Sequence, residues 1–258
     1  METQRGSTSV RSDTNSLSSE SGKQTVMAEA GKITKTAIKV LTCVEKVSSF
    51  ASSIDPLFGV VSSMVGMARL GLAGKEENPL DEDFKAIHKK LESISKKNRQ
   101  CLQQIRVDEV NETFGKYEEY IKHQYAALNT MVASLKKAPA DAKKHMEKFE
   151  HVYERDKSDL SLDVFYRGVM GTGTLFGRPL LKVYLEHCEG DLRVMQHRCS
   201  HLGHLFQIGL IALMAYTAVT EDDEDEVRDK WAQRVLDIQA KMQEVLSQCK
   251  EPEKSSPP

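Results

Sequence analysis

Proline is scarce and poorly placed for a β protein. Of the seven prolines, Pro252, Pro257 and Pro258 fall in the C-terminal tail, so only Pro56, Pro79, Pro139 and Pro179 interrupt the rest. Long proline-free spans suit long helices. Alternating apolar and polar runs bounded by turn dipeptides are missing, which excludes a sandwich or barrel. The five cysteines are odd in number and widely spaced, so they make no disulfide framework. Reduced thiols in a cytoplasmic protein are the expectation. No excess of one charge is present. Lys plus Arg number 36 against 38 Asp plus Glu, a net charge of −2, which argues against nucleic acid as a partner. No apolar run follows the hydroxyl-rich N-terminus, so a secretory signal is not expected, and the Asn111-Glu112-Thr113 sequon should go unused. Hydrophobic content of 40% with 29% charged residues excludes both wholesale disorder and a polytopic membrane protein.

Catalytic signatures are lacking too. There is no nucleophile elbow, metal-protease motif or paired-carboxylate pattern, so a non-enzyme without cofactor is expected. The stretch Gly171-Thr172-Gly173-Thr174-Leu175-Phe176-Gly177 approaches a nucleotide loop. Its last glycine is displaced from G-x-G-x-x-G and no lysine follows, so a helix break is the reading.

What is present is helical periodicity. Residues 1–26 read as a disordered Ser/Thr-rich tail, 27–249 as one all-helical domain, and 250–258 as a second tail. In the first helix, about 28–53, Ile33, Ala37, Val40, Val44, Val47 and Ala51 share one face, beside a stripe of Lys32, Lys35, Lys39 and Lys46. Asp55-Pro56 reads as an N-cap with proline at N1, opening a second helix over 56–74. Gly59, Ser62, Ser63 and Gly66 in it permit close helix approach. Over 80–106, Phe84, Ile87, Leu91, Ile94, Asn98, Cys101 and Ile105 form a heptad seam with one polar position. Over 108–137, Val110, Phe114, Tyr117, Ile121, Leu128 and Leu135 form another, out of phase with the first, so a bend is expected near Val107-Asp108. A shorter helix follows Pro139, and glycines over 159–178 predict a break. Helices are then expected from Pro179, from Asp191 to Val219, and after Thr220, the last with Thr220 and Asp223 as a capping box and Glu224→Arg228 and Glu226→Lys230 pairs. The fold class is all-α, an elongated bundle of long antiparallel helices around a central apolar helix.

Two segments raise the question of a membrane. Leu205 to Val219 is apolar for 15 residues. At about 1.5 Å per residue that reaches ~23 Å, short of a ~30 Å hydrocarbon core, so a buried bundle helix is the better reading. The basic helix 28–53 leading into the uncharged 56–68 could instead meet an anionic surface. Phe58, Val61, Met64 and Val65 would then touch lipid or a partner, and Lys35 and Lys39 the head groups. His197, His201 and His204 recur at i, i+4 and i+7 and are weak metal candidates, without a CxxC pair or an HExxH glutamate. Glu221 to Glu226 lacks the EF-hand glycine and reads as a solvated helix start.

Five strings resemble the rapunzel family of fish proteins. They are Asp55-Pro-Leu-Phe-Gly-Val-Val-Ser-Ser-Met-Val-Gly66, Asn111-Glu-Thr-Phe-Gly-Lys-Tyr-Glu-Glu119, Ser161-Leu-Asp-Val-Phe-Tyr-Arg-Gly-Val-Met-Gly171, Leu175-Phe-Gly-Arg-Pro-Leu-Leu-Lys-Val-Tyr-Leu185 and Ile208-Gly-Leu-Ile-Ala-Leu-Met-Ala-Tyr-Thr-Ala-Val219. The resemblance implies a non-enzymatic protein linked to skeletal and fin growth and to innate immune signalling, similar in helical layout to cephalotoxin-like, pore-forming proteins. It defines no catalytic or ligand residue. The expected function is a cytoplasmic helical regulatory or scaffold protein that binds protein partners, self-association included. The alternative is a membrane-active protein of α-pore-forming type that uses residues 28–74.

Overall fold

The structure, a computed structural model, describes residues 47–69, 79–102, 107–172 and 177–251. The expected helix over 28–46 with its lysine stripe, the ends of the expected helices at 70–74 and 103–106, both terminal tails up to 46 and from 252, and the middle of the glycine stretch lie outside the described residues. The described residues form eight α-helices and no β-strand among them. These are α1 (Phe50–Arg69), α2 (Pro79–Leu102), α3 (Asp108–Lys137), α4 (Ala142–Arg155), α5 (Leu160–Met170), α6 (Leu180–His187), α7 (Leu192–Thr220) and α8 (Glu224–Ser247). The fold is all-α, as expected.

Helix α7 is the hub. It touches every other helix, and every residue from Leu202 to Ala215 is buried. Over that stretch its apolar side chains have no solvated face, and each Leu, Ile, Phe or Met contributes roughly 1.5–3 kcal/mol on burial. The seams of α2 and α3 close against it. Phe84, Ile87, Leu91, Ile94, Phe114, Ile121 and Leu128 are all buried, and the polar seam residue Asn98 donates to Ser200 Oγ at 3.3 Å. Phe206 links four helices, with Phe50 of α1 at 6.3 Å, Phe165 of α5 at 6.5 Å and Trp231 of α8 at 6.3 Å between ring centroids. The helix is also longer than its apolar run. Its 29 residues correspond to about 43 Å. By length and composition, 192–220 and 47–69 could each cross a membrane, yet 94% of the apolar window in 192–220 is buried within the protein.

Several boundaries follow local chemistry. Asp191 caps α7, its carboxylate accepting from Arg193 N at 2.7 Å and Val194 N at 3.2 Å. Asp223 caps α8 in the same way. Thr220 therefore belongs to the end of α7 rather than to a capping box. Lys230 reaches Asp159 Oδ2 at 3.1 Å, across to α5's start, instead of pairing along its own helix with Glu226. Gly171, at φ +70°, ends α5, and the chain restarts as α6 after Pro179, which is the break the glycines predict.

Two further expectations fail. Asp55-Pro56 does not start a helix, because α1 begins at Phe50 and carries Pro56 inside it. The proline removes the amide that would bond the Ser52 carbonyl, but Ser52 is exposed, where water can satisfy it. Extending the helix back to Phe50 buries Phe50 and Ile54 to 2% and 4% exposure, which offsets the lost bond. Nor do Gly59 and Gly66 mediate close approach. A β-carbon added at either would meet nothing within 4 Å. The tight contacts lie at Gly168, where a β-carbon would stand 2.6 Å from the Phe114 ring, and at Gly209, where it would stand 2.6 Å from Leu162.

Candidate functional site

A polar cluster sits where α3 meets α7. Glu118 and Lys122 lie one turn apart on α3, and His201 faces them from α7. Glu118 Oε1 is 2.7 Å from Lys122 Nζ and 3.3 Å from His201 Nε2. Burial alone would push the Glu118 carboxyl up. The hydrogen bond and charge of His201, then those of Lys122, outweigh it and hold the group down to about 2. One turn further along α7, His204 is buried, and its Nδ1 has no hydrogen-bond partner. Burial, then the charges of His201 and Lys122, lower its pKa to about 3, so the ring is neutral at physiological pH. Arg198, also buried, lies with its guanidinium 5.0 Å from the Tyr184 ring.

These side chains line a cleft of about 240 Å³ between α2, α3 and α7, joined by Ser95, Arg99, Asn111 and Phe114. Arg99, Lys122, Arg198 and His201 give it a basic lining around the single carboxylate Glu118. The chemistry available is electrostatic recognition of an acidic group.

The three candidate histidines do not converge. His201 and His204 line this cleft, whereas His197 opens on a different one with Lys97, Asn98 and Gln243, and its Nδ1 bonds the Arg193 carbonyl at 2.7 Å. Among the described residues no group of three His, Cys, Asp or Glu side chains is placed to hold a metal ion.

The apolar candidates occupy the core. Phe58, Val61, Met64 and Val65 are 2%, 1%, 5% and 1% exposed. In this conformation their side chains pack into the hydrophobic core. Lys35 and Lys39 lie outside the described residues. Two of the polar groups on the apolar helices bond within the protein. Gln207 Nε2 donates to Ser53 Oγ at 3.1 Å, joining α7 to α1, and Thr217 Oγ1 donates to the Leu213 carbonyl at 3.0 Å.

Glu118 does not stand out by spacing alone, although a signal for it exists. It stands four residues after Phe114 and three before Ile121, on the buried stripe of α3. A carboxylate at a seam position must find cationic partners.

The chain matches the cephalotoxin-like middle helical domain over residues 73–255. It is 36% identical over 219 residues to a curated relative, protein rapunzel of Danio rerio, a match covering 85% of this chain and 95% of that protein. No solved structure matches. The chain therefore belongs to the rapunzel-like family, which carries the cephalotoxin-like middle domain. The domain match begins after α1, so the helix that covers α7 with Phe50, Leu57 and Val61 is contributed from outside it.

Proposed function

We propose that this rapunzel-like protein is a cytoplasmic regulatory or scaffold protein that works by binding protein partners and carries out no reaction of its own. The observation that carries this reading is the packing of both apolar helices into one core, with 94% of the apolar window in 192–220 and 56% of that in 47–69 buried within the protein. Such a core leaves charged helical faces outside as the working surface. Among the described residues, Leu160 and Leu236 are the exposed large hydrophobic side chains. The basic cleft around Glu118 and His201 suits an acidic segment of a partner. Skeletal and fin growth and innate immune signalling, which the family resemblance implies, are the processes in which such binding is proposed to act.

A second reading is a membrane-active protein of α-pore-forming type that deploys residues 28–74. It is favoured by the length and hydropathy of 47–69 and 192–220, each sufficient to cross a bilayer. Flotation of the purified full chain with neutral and anionic vesicles, at low and physiological salt, separates the two. The scaffold reading expects no flotation with either vesicle. Salt-sensitive flotation with anionic vesicles would overturn it in favour of the membrane reading.

A further inference from the structure

The ends of α6 and α8 are brought side by side by the fold, and each carries a cysteine. Cys188 is the residue that closes α6, and Cys249 lies two residues beyond α8. Helix α6 packs on α8. Beyond both helices the backbones join in an isolated parallel bridge between Asp191 and Lys250. Lys250 N donates to the Gly190 carbonyl at 2.8 Å, and Leu192 N donates to the Lys250 carbonyl at 3.1 Å. The bridge holds the two cysteine-bearing segments in one register. Each thiol also bonds the last turn of its own helix, Cys188 Sγ to the Leu185 carbonyl at 3.3 Å and Cys249 Sγ to the Val245 carbonyl at 3.4 Å. Burial, then the neighbouring Cys188 thiol, push the Cys249 thiol up to about 11.

We propose that Cys188 and Cys249 form a reversible disulfide site that fastens the end of α8 to the turn between α6 and α7. The oxidant is a low-molecular-mass disulfide. The half-buried Cys249, as thiolate, attacks one of its sulfurs and expels one small thiolate. Cys188, as thiolate, then attacks Cys249 Sγ and expels the second. The protein loses two protons and two electrons and gains one S–S bond, and the oxidant is reduced to two thiols. Cys199, also near the pair, stays out of the exchange, because it is fully buried at 0% exposure and out of reach of a small disulfide, whereas Cys249 is half-buried. The chain between Cys188 and Cys249 contains the whole of α7 and α8. Closing that loop restricts the unfolded chain and ties down the central helix without moving the native backbone, which the bridge already holds in place.

The full chain is incubated with excess oxidised glutathione at mildly alkaline pH. Free thiols are then blocked, and unreduced peptides are mapped by mass spectrometry. The expected result is a Cys188–Cys249 linked peptide, an intact mass lower by two hydrogens, and a melting temperature raised by several degrees, all reversed by a reductant. Cys249→Ser and Cys188→Ser should each melt like the reduced protein and lose both the link and the rise. Glutathione retained on Cys249 while Cys188 remains alkylable overturns the proposal, as does a link through Cys43 or Cys101 in place of this pair. So does a linked protein whose melting temperature is unchanged.

Discussion

The side-chain amide of Gln124 donates to the carbonyl of Ser158 at 2.8 Å. The same nitrogen also reaches the carbonyls of Tyr153 at 3.3 Å and Asp156 at 3.2 Å. One buried glutamine on α3 thus closes the turn between α4 and α5. In that turn Lys157 and Ser158 both sit at positive φ, 71° and 50°, which is unfavourable for residues with a β-carbon. Alanine at position 124 would leave three buried or half-buried carbonyls without this donor. Gln124→Ala should lower stability by about 2–3 kcal/mol, shifting the urea midpoint with little change in slope. An unmoved midpoint would show that the turn holds itself.

Val61 tests whether α1 belongs to the core. It is 1% exposed, so Val61→Asp buries a carboxylate with no cationic partner. The protein should fail to fold, or lose about 3–5 kcal/mol. Leu236→Asp makes the same chemical change at a site 52% exposed and should stay within about 0.5 kcal/mol of wild type. Thermal melts followed by circular dichroism read both. If the Val61 variant melts at the wild-type temperature, α1 is not core in solution.

The glycines divide into two groups with opposite signs. Gly59→Ala has open space for its methyl group and removes backbone freedom from the unfolded chain, so it should stabilise by about 0.5–1 kcal/mol. Gly168→Ala and Gly209→Ala drive a β-carbon into Phe114 and Leu162 respectively, and each should destabilise by about 1–3 kcal/mol. Chemical denaturation of the three variants would show whether their order is as stated.

Acid should weaken the protein in two stages. His204 has its pKa lowered from 6.5 to about 3, so between those values the unfolded chain binds a proton that the folded one refuses. Stability from this group is full above 6.5 and falls as pH drops toward 3, by up to about 1.4 kcal/mol per pH unit. Glu118 is depressed from 4.5 to about 2, so its contribution is present above 4.5 and disappears as pH falls through 2. His204→Leu should flatten the stability curve in the upper window and leave the lower one. Glu118→Gln should flatten the lower. Equal slopes in wild type and His204→Leu between pH 6.5 and 4.5 would remove His204 as the cause.

Much of this architecture was legible because it is local. The seams at Phe84–Ile94 and Phe114–Leu128, the helix start at Asp191, the break after Gly171 and the apolar centre at 205–219 all follow from residues within a few positions of one another. The polar seam residues Glu118 and Gln124 were visible in the same register, since Gln124 stands three residues after Ile121 and four before Leu128. Their partners were not visible, because His201 and Ser158 lie far along the chain.

By itself, then, the sequence determined that this chain is helical, where most helices start and stop, and which stripe of each is apolar. Only the tertiary structure decided that Pro56 is carried inside α1, that close packing falls to Gly168 and Gly209 instead of Gly59 and Gly66, and that His201 and His204 part from His197. The physical reason is range. Helical hydrogen bonds, caps and periodicity act within about one turn. The neighbour that covers a methyl group, tolerates a missing amide or neutralises a buried carboxylate comes from a distant segment, and only the assembled core says which one.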